Sequence, residues 1–236
     1  MEMGKKMRSA IAIINPKNNQ PLSLSNGSLQ DEEGNVFPVI SGIPRIAQFN
    51  NYTSSFGMQW NKFDKIQLDR ETDGYNMSRQ RFFAETHWNA QDLTEKNVLE
   101  VGSGAGRFSK VVLESTSATL YSIDYSDAVT ANFKNNSSIA ANRFHLFQAS
   151  IYEMPFPDDS FDKVFCLGVL QHTPNFDASV KALIRKAKPG GEIVVDFYPI
   201  KGWWTKIHAK YILRPITKRL SHKRLMQMIE SNINWL

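Results

Sequence analysis

The chain has 236 residues, 42% of them hydrophobic and 22% charged, which is typical of a globular protein and excludes a disordered one. Its length fits one large domain with at most a small additional one, and the formal net charge of +5 is a mild basic excess. The single cysteine, Cys166, excludes an internal disulfide and a cysteine-rich zinc site.

The N-terminus superficially resembles an export signal, with Lys5, Lys6 and Arg8 before the apolar run 10–14. That run is shorter than the roughly 7–15 apolar residues of a signal peptide, and Asn15-Pro16 ends it. No run approaches the ~20 apolar residues of a membrane span. We therefore expect a cytoplasmic protein.

Short apolar pieces separated by polar turns predict a small β appendage over residues 1–50. Residues 51–96 are first aromatic and polar without clear periodicity, and become helical from Ser78. We interpret 51–96 as a lead-in that caps the main site, and 97–200 as the core domain. Residues 201–236 form a basic, aromatic and mostly helical tail.

Strand and helix patterns alternate regularly from Asn97. Strands are predicted at 97–101, 118–123, 143–148, 162–168 and 192–197. Helices are predicted from about Arg107 to Glu114, after Ser126 as the N-cap, and before Pro189-Gly190-Gly191. This alternation predicts an α/β fold, a Rossmann-like, doubly wound and mainly parallel sheet. Residues 198–236 read mostly as helix, and no strands that would close the sheet are visible there.

The first of these strands runs into three glycines in NVLEVGSGAGRFSK, residues 97–110. Glycine lets the backbone turn tightly and approach a ligand. A nucleoside-triphosphate loop would need Gly-Lys-Ser/Thr after the last glycine, and a dinucleotide fingerprint a small residue at position 107, which is arginine. Glu100 precedes the glycines, and Asp124 ends the next strand, where a carboxylate can accept ribose hydroxyls. Alternatively, Glu100 caps a helix or loop, and Asp124 caps the helix that follows it.

The segments VLEVGSGAGRFSK, YSIDYS, MPFPDDSFDKVFCLGVLQHTPN and KPGGEIVV together resemble the successive motifs of class I S-adenosylmethionine-dependent methyltransferases, specifically the type 11 group. The resemblance runs from about Asn97 to Phe197. It implies methyl transfer with S-adenosylmethionine as cofactor, nicotinamide dinucleotides being the alternative.

The resemblance also implies roles for individual residues. Glu100 and the glycine turn would lie against the methionine portion, Asp124 would hold the ribose, and Tyr125 would contact the adenine. Relatives often carry an acid where this chain has Ser150, which would accept the adenine bond more weakly, helped by the backbone of Ile151. Gly168 would admit the sulfonium region. The cofactor-binding set is Glu100, Gly102, Ser103, Gly104, Gly106, Asp124, Tyr125, Ser150, Ile151, Gly168 and Arg81.

The appendage has a resemblance of its own, in NVFPVISGIPRI at residues 35–46. This segment resembles the closing part of a zinc-ribbon-like family of methyltransferase activators. The paired cysteines of that family are absent here, so the resemblance implies the β scaffold alone, and we expect no metal.

A methyltransferase needs a general base only if the acceptor must lose a proton. His172, in LGVLQHT after the fourth core strand, is the candidate catalytic residue, because an imidazole suits a base near neutral pH. A structural role for His172 is the alternative. Arg81 or Arg79 would pair with the cofactor carboxylate, unless these arginines are simply solvated.

The acceptor is not encoded in any motif. We expect a small-molecule or lipid-linked acceptor. If this acceptor is anionic, the basic stretch 201–225 would attract it. That stretch is a solvated helix face, an amphipathic lid that contacts a membrane surface, or a nucleic-acid-binding segment. Nucleic acid is expected to be unlikely as a partner. A non-catalytic regulatory module and an RNA methyltransferase remain the alternative functions.

Overall fold

The computed structural model describes residues 11–47, 53–65, 68–69 and 76–197, together with Arg219, Arg224 and Gln227; of residues 54–56 it describes only the backbone. The chain divides into two compact units, Met1–Phe197 and Tyr198–Leu236. The predictions for the basic stretch 201–225 and for the closing strands therefore concern positions almost entirely outside the described residues.

The N-terminal appendage is a four-stranded antiparallel sheet, as expected. Its strands are β1 (Ser23–Ser25), β2 (Ser28–Gln30), β3 (Val36–Ile40) and β4 (Ile43–Pro44), in that order across the sheet. The buried carboxylate of Asp31 accepts hydrogen bonds from the side-chain amides of Asn15 at 2.7 Å, Asn18 at 3.0 Å and Asn35 at 2.8 Å. Together with the Asn35 N–H these bonds hold the Asp31 pKa below its ordinary value, although burial acts against them.

Two helices precede the core and strands alternate with helices inside it. The elements are α1 (Ser54–Lys62), α2 (Met77–Thr86), β5 (Asn97–Val101), α3 (Arg107–Ser115), β6 (Thr119–Asp124), α4 (Val129–Asn136), β7 (Phe144–Gln148), β8 (Phe161–Cys166), α5 (Phe176–Lys186) and β9 (Ala187–Val195). The core strands pair in parallel in the order β7-β6-β5-β8-β9. The predicted Rossmann-like sheet is confirmed. The strand order reverses between β5 and β8, and folds of this kind bind ligands at such a point.

The sheet is covered on both faces because successive strand residues point to opposite sides. Val98 and Leu120 belong to one apolar cluster, which also contains residues of α2, α3 and α4. Leu99 and Tyr121 belong to the other cluster, which contains residues of α5. These continuous apolar strands are the ones that a parallel sheet buried on both faces requires.

Two local predictions were wrong. Helix α4 begins at Val129 and its N-cap is Ala128; the Ser126 hydroxyl accepts the Ala128 N–H at 3.2 Å, ahead of the helix, and donates to Asp124 at 2.6 Å. Strand β9 begins at Ala187 and runs through Pro189-Gly190-Gly191, with a register shift opposite β8. The Pro-Gly-Gly segment thus lies within the strand rather than before it.

The appendage docks on the open edge of the core sheet. Arg45, directly after β4, forms a parallel bridge with Gln148 at the end of β7. The N–H groups of Ile46 and Ala47 both donate to the Gln148 carbonyl, at 2.8 and 2.9 Å. These bonds occupy backbone acceptors at an edge strand that would otherwise be open to pairing.

Candidate functional site

The glycine turn and the loop after β8 touch at the carboxyl edge of the sheet. The N–H groups of Gly102 and Ser103 donate to the Ile123 carbonyl at 2.8 and 3.1 Å, which ties the turn to β6. Gly102 has φ +83°, and a β-carbon on it would lie 2.3 Å from a methyl group of Val169. Glycine is therefore required here by contact between the two loops.

Gly106 is required for a different reason. Its φ is +86°, and a β-carbon on it would lie 2.1 Å from Asn132 Oδ1 and 2.2 Å from Asn136 Nδ2. The Asn136 amide donates to the Gly106 carbonyl at 2.9 Å and to Asn132 Oδ1 at 2.8 Å. Buried asparagines of α4, rather than a ligand, occupy the space beside this glycine.

Glu100 lies beneath the turn at the end of this buried network. Its Oε2 accepts hydrogen bonds from Ser122 Oγ at 2.8 Å and from Ser109 Oγ, and Ser109 in turn accepts one from Asn132 at 3.0 Å. The side chain is only 2% exposed. Burial raises its pKa to about 7; the two hydroxyls oppose this rise and the nearby Asp124 adds to it. Glu100 is thus linked to the turn indirectly, through Ser109 and the two asparagines that contact Gly106.

Asp124 meets the glycine turn directly. Its Oδ2 accepts the Gly104 N–H at 2.8 Å, and its Oδ1 accepts the N–H and hydroxyl of Ser126 at 2.8 and 2.6 Å. Burial raises the pKa of Asp124, against the effect of these hydrogen bonds. The acid at the end of β6 and the glycine turn are thus brought together, as their spacing in the sequence suggested.

Residues after β7 complete this side of the edge. Gln148 Nε2 donates to the Tyr125 carbonyl at 3.2 Å, which links the end of β7 to the segment after β6. Ser150 Oγ accepts the Tyr152 N–H at 3.2 Å, and Ile151 is buried. Tyr125, Ser150 and Ile151 therefore lie on loops beside Asp124.

The loop after β8 carries unpaired polar groups. Gly168 has φ +76°, and among the described residues other than its two chain neighbours no atom lies within 4 Å of where a β-carbon would be, so these residues leave space open beside it. A single 3₁₀ turn, Leu170–His172, follows. Both amide atoms of Gln171 are buried without a hydrogen-bond partner, and so is the Ser103 hydroxyl in the glycine turn. The His172 side chain is exposed at the same edge.

Arg81 reaches this loop through a shared carboxylate. Its guanidinium pairs with Glu85 Oε1 at 2.8 Å and with Asp196 Oδ2 at 2.9 Å, and Glu85 is the main cause of its raised pKa. Asp196 Oδ1 also accepts the Gly168 N–H. To bind a cofactor carboxylate, Arg81 would have to exchange or share these partners.

Helix α1 was not predicted, yet it lies over the glycine turn. A β-carbon on Gly104 would lie 3.4 Å from Trp60 Nε1, and one on Gly57 would lie 3.0 Å from the Asp127 nitrogen. Asn61 Nδ2 donates to the Asp127 carbonyl at 3.0 Å and to its carboxylate at 3.2 Å. Only the folded chain reveals this contact, because residues 51–75 have no clear periodicity.

Residues 99–195 match the family model described as "Methyltransferase domain". Together with the sheet order, this match identifies residues 99–195 as a methyltransferase domain with the class I fold that the sequence motifs implied. S-adenosylmethionine is accordingly the cofactor of this domain, as the sequence motifs implied.

Two relatives show the range of acceptors among similar proteins. The chain is 31% identical over 111 residues to a tRNA U34 carboxymethyltransferase of Nautilia profundicola, covering 47% of this chain and 37% of that protein. It is 32% identical over 129 residues to a ubiquinone/menaquinone biosynthesis C-methyltransferase of Vibrio vulnificus, covering 52% and 50%. The chain thus spans half or less of these two relatives, and they do not support the expectation that nucleic acid is an unlikely partner.

A solved structure agrees at the level of the fold. It is described as that of a provisional sarcosine dimethylglycine methyltransferase from Galdieria sulphuraria, with 15% identity, a TM-score of 0.50, and coverage of 61% of this chain and 59% of that one. Among the described helices, none is long and apolar enough to cross a bilayer.

The residues present fit the cofactor. A buried amide or hydroxyl without a partner costs about 1–3 kcal/mol, and the Gln171 and Ser103 groups have hydrogen-bonding capacity that a polar ligand would use. The open space beside Gly168 allows that ligand to approach the backbone. Asp124 supplies a carboxylate to which ribose hydroxyls can donate.

Proposed function

We propose that the protein is a methyltransferase that uses S-adenosylmethionine to methylate a small-molecule or lipid-linked acceptor. The observation that carries the proposal is the contact between Asp124 and the Gly104 N–H, which joins the acid at the end of β6 to the glycine turn after β5. A carboxylate for the ribose hydroxyls and a glycine turn that lets the cofactor approach the backbone therefore lie at one edge of the sheet.

Each predicted residue has a role in this proposal. Asp124 holds the ribose, and Tyr125, Ser150 and Ile151 surround the adenine. Gly102, Ser103, Gly104, Gly106 and Gly168 form the two loops that enclose the methionine end, with Glu100 supporting them from below. Arg81, which pairs with Asp196 in the structure, exchanges this partner for the carboxylate of the cofactor. Helix α1, with Trp60 against Gly104, covers the site in the way proposed for the lead-in 51–96.

The cofactor supplies a methyl group already activated by the positive charge on its sulfur. The protein must then align the acceptor with that methyl group, a contribution that reaches about 7–11 kcal/mol in well-oriented cases. The imidazole of His172, exposed at the carboxyl edge, takes a proton from the acceptor where the acceptor must lose one.

An apolar ring is the acceptor chemistry that the described surface favours. Phe176, at the start of α5, and Phe197, after β9, lie edge to face with ring centroids 5.6 Å apart. Their side chains are 41% and 57% exposed. Two exposed aromatic rings at the edge that carries His172 offer a packing surface for a planar apolar acceptor.

The test is a transfer assay with S-adenosylmethionine labelled in its methyl group. Purified protein is incubated separately with a hydroxylated quinone-type ring compound carrying an isoprenoid chain and with bulk tRNA, and the labelled product is identified by mass. Label in the ring compound supports the proposal. Label in tRNA alone would replace it with the RNA methyltransferase alternative.

The regulatory-module alternative is tested on the same samples. Binding of S-adenosylhomocysteine with no label in either acceptor or in cell extract would favour a non-catalytic module. His172→Ala should lower turnover with unchanged S-adenosylhomocysteine affinity, and unchanged turnover would remove the role of His172 as a base.

A further inference from the structure

Arg45 is a buried cation that the appendage inserts into the core domain. Only 4% of the residue is exposed, although it belongs to the N-terminal sheet region and its guanidinium reaches past β7. NH1 donates to Asp127 Oδ1 at 2.9 Å and to Gln148 Oε1 at 3.0 Å, and NH2 donates to Thr130 Oγ1 at 3.1 Å. These acceptors offset the cost of burying the guanidinium, although its Nε is buried without a partner.

The partners of Arg45 are the groups that hold the loop after Asp124. Gln148 accepts from Arg45 through Oε1 and donates through Nε2 to the Tyr125 carbonyl. This side chain thus relays the position of Arg45 to a residue directly adjacent to the proposed ribose carboxylate. Because the amide has one acceptor and one donor end, its orientation is fixed by having both partners present.

The second relay runs through Asp127 to helix α1. Asp127 accepts from Arg45 on Oδ1 and from Asn61 on Oδ2 and on its carbonyl. The backbone of Gly57 packs against the Asp127 nitrogen, and Trp60 of the same helix lies against Gly104. Arg45 therefore helps to set both the floor of the adenosine site and the helix that covers the glycine turn.

We propose that Arg45 is a positioning residue for the adenosine end of the cofactor, so that appendage docking and cofactor binding stabilise each other. This inference rests on the proposed function, because it assumes that the cofactor lies beside Asp124. Coupling of this kind is reciprocal. The free energy by which appendage docking strengthens cofactor binding equals the free energy by which the bound cofactor strengthens appendage docking.

The experiment compares Arg45→Met, Arg45→Lys and Asp31→Asn with the wild type. Met keeps the apolar length of the side chain, and Lys keeps the charge, and with it the fold, but cannot reach three acceptors in the geometry of a guanidinium. Asp31 is the matched control, since among the described residues its carboxylate bonds to Asn15, Asn18 and Asn35, all within the appendage. Calorimetry measures affinity for S-adenosylhomocysteine and for 5′-methylthioadenosine, which lacks the amino-acid end.

We expect Arg45→Met to weaken both ligands by about tenfold and Arg45→Lys by less, the loss being equal for the two ligands because it concerns the adenosine end. Asp31→Asn should lower the melting temperature and leave both affinities unchanged. Hydrogen exchange gives the reciprocal readout: S-adenosylhomocysteine should slow exchange in residues 36–47 of the wild type and have less effect in Arg45→Lys.

Equal affinities in the wild type and both Arg45 variants would overturn the inference while leaving the proposed function intact. A loss of affinity in Asp31→Asn as large as in Arg45→Met would also overturn it, because any destabilised appendage would then have the same effect. A wild type that binds neither ligand would instead refute the proposed function, and the inference with it.

Discussion

The two loops at the carboxyl edge differ in how their polar groups are satisfied. Under the glycine turn, Glu100, Ser109, Asn132 and Asn136 form a buried chain of hydrogen bonds that ends on the Gly106 carbonyl. In the loop after β8, the Gln171 amide is buried with no partner and the space beside Gly168 is open. The first loop is thus held mainly by the protein itself, with the Ser103 hydroxyl and Asn136 Oδ1 left unpaired, whereas the whole side-chain amide of Gln171 in the second is available to a ligand. The glycines at this edge therefore differ in kind: Gly106 is required by packing within the protein, whereas Gly168 lies beside open space.

Gly106→Ala tests the structural half of this comparison and should have the largest effect. A β-carbon would meet two asparagine side chains at close to 2 Å and would force a positive φ on alanine. We expect a loss of about 3 kcal/mol in the free energy of unfolding, measured by denaturant titration. Gly168→Ala is the control, with a similar φ and open space, and should cost only about 1 kcal/mol. Equal losses of unfolding free energy in the two variants would show that the asparagine side chains move to accommodate the added methyl group.

Glu100→Gln tests whether the buried carboxyl makes stability depend on pH. The folded pKa of about 7 lies above the ordinary value of 4.5, so the folded state binds the proton more tightly. The stability that this group contributes is complete below pH 4.5 and is lost as the pH rises to about 7. We expect the wild type to lose about 2–3 kcal/mol from this group between pH 5 and pH 8.

The variant should lack this loss, because glutamine does not ionise. The measurement is the difference in unfolding free energy between wild type and variant at each pH, which removes the contributions of other titrating groups. A difference that stays constant from pH 5 to pH 8 would contradict the raised pKa.

Asp124→Asn tests the residue at which the two loops and the proposed ribose meet. The amide keeps the shape of the carboxylate, but its charge is lost and one of its two oxygens is replaced by a donor. Hydrogen bonds to a charged group are worth about 1.5–3 kcal/mol, so S-adenosylhomocysteine should bind roughly 10–100-fold more weakly by calorimetry. Binding as tight as in the wild type would remove Asp124 from the cofactor site.

Gln171→Leu tests the ligand-facing half of the comparison. Removing a buried amide that has no partner should stabilise the ligand-free protein by about 1 kcal/mol, seen as a higher melting temperature. S-adenosylhomocysteine should bind about tenfold more weakly, while 5′-methylthioadenosine, without the amino-acid end, should bind as before. A variant that is both less stable and unchanged in binding would show that the amide serves packing alone.

Much of the fold and part of the site follow from local patterns in the sequence. The apolar strands, the amphipathic helices and the acid that ends β6 are encoded within short segments, because strand alternation and helix periodicity are properties of neighbouring residues. Their order alone predicted the parallel sheet, and the motif order predicted the cofactor. The same local reasoning failed for Pro189-Gly190-Gly191, which lie within β9 at a register shift, between the positions Ala187 and Glu192 that pair with β8.

Tertiary structure alone decided which groups face each other across large separations in the chain. Gly106 needs glycine because of asparagines about 30 residues away, Trp60 lies over Gly104, and Arg45 pairs with Asp127 and Gln148 about 80 and 100 residues further along. The unpaired amide of Gln171 is visible only when the hydrogen-bond partners in the folded chain are known. Hydrogen bonds and steric clashes depend on the distance between atoms in space. Spacing along the sequence predicts that distance only for residues within a single helix or strand.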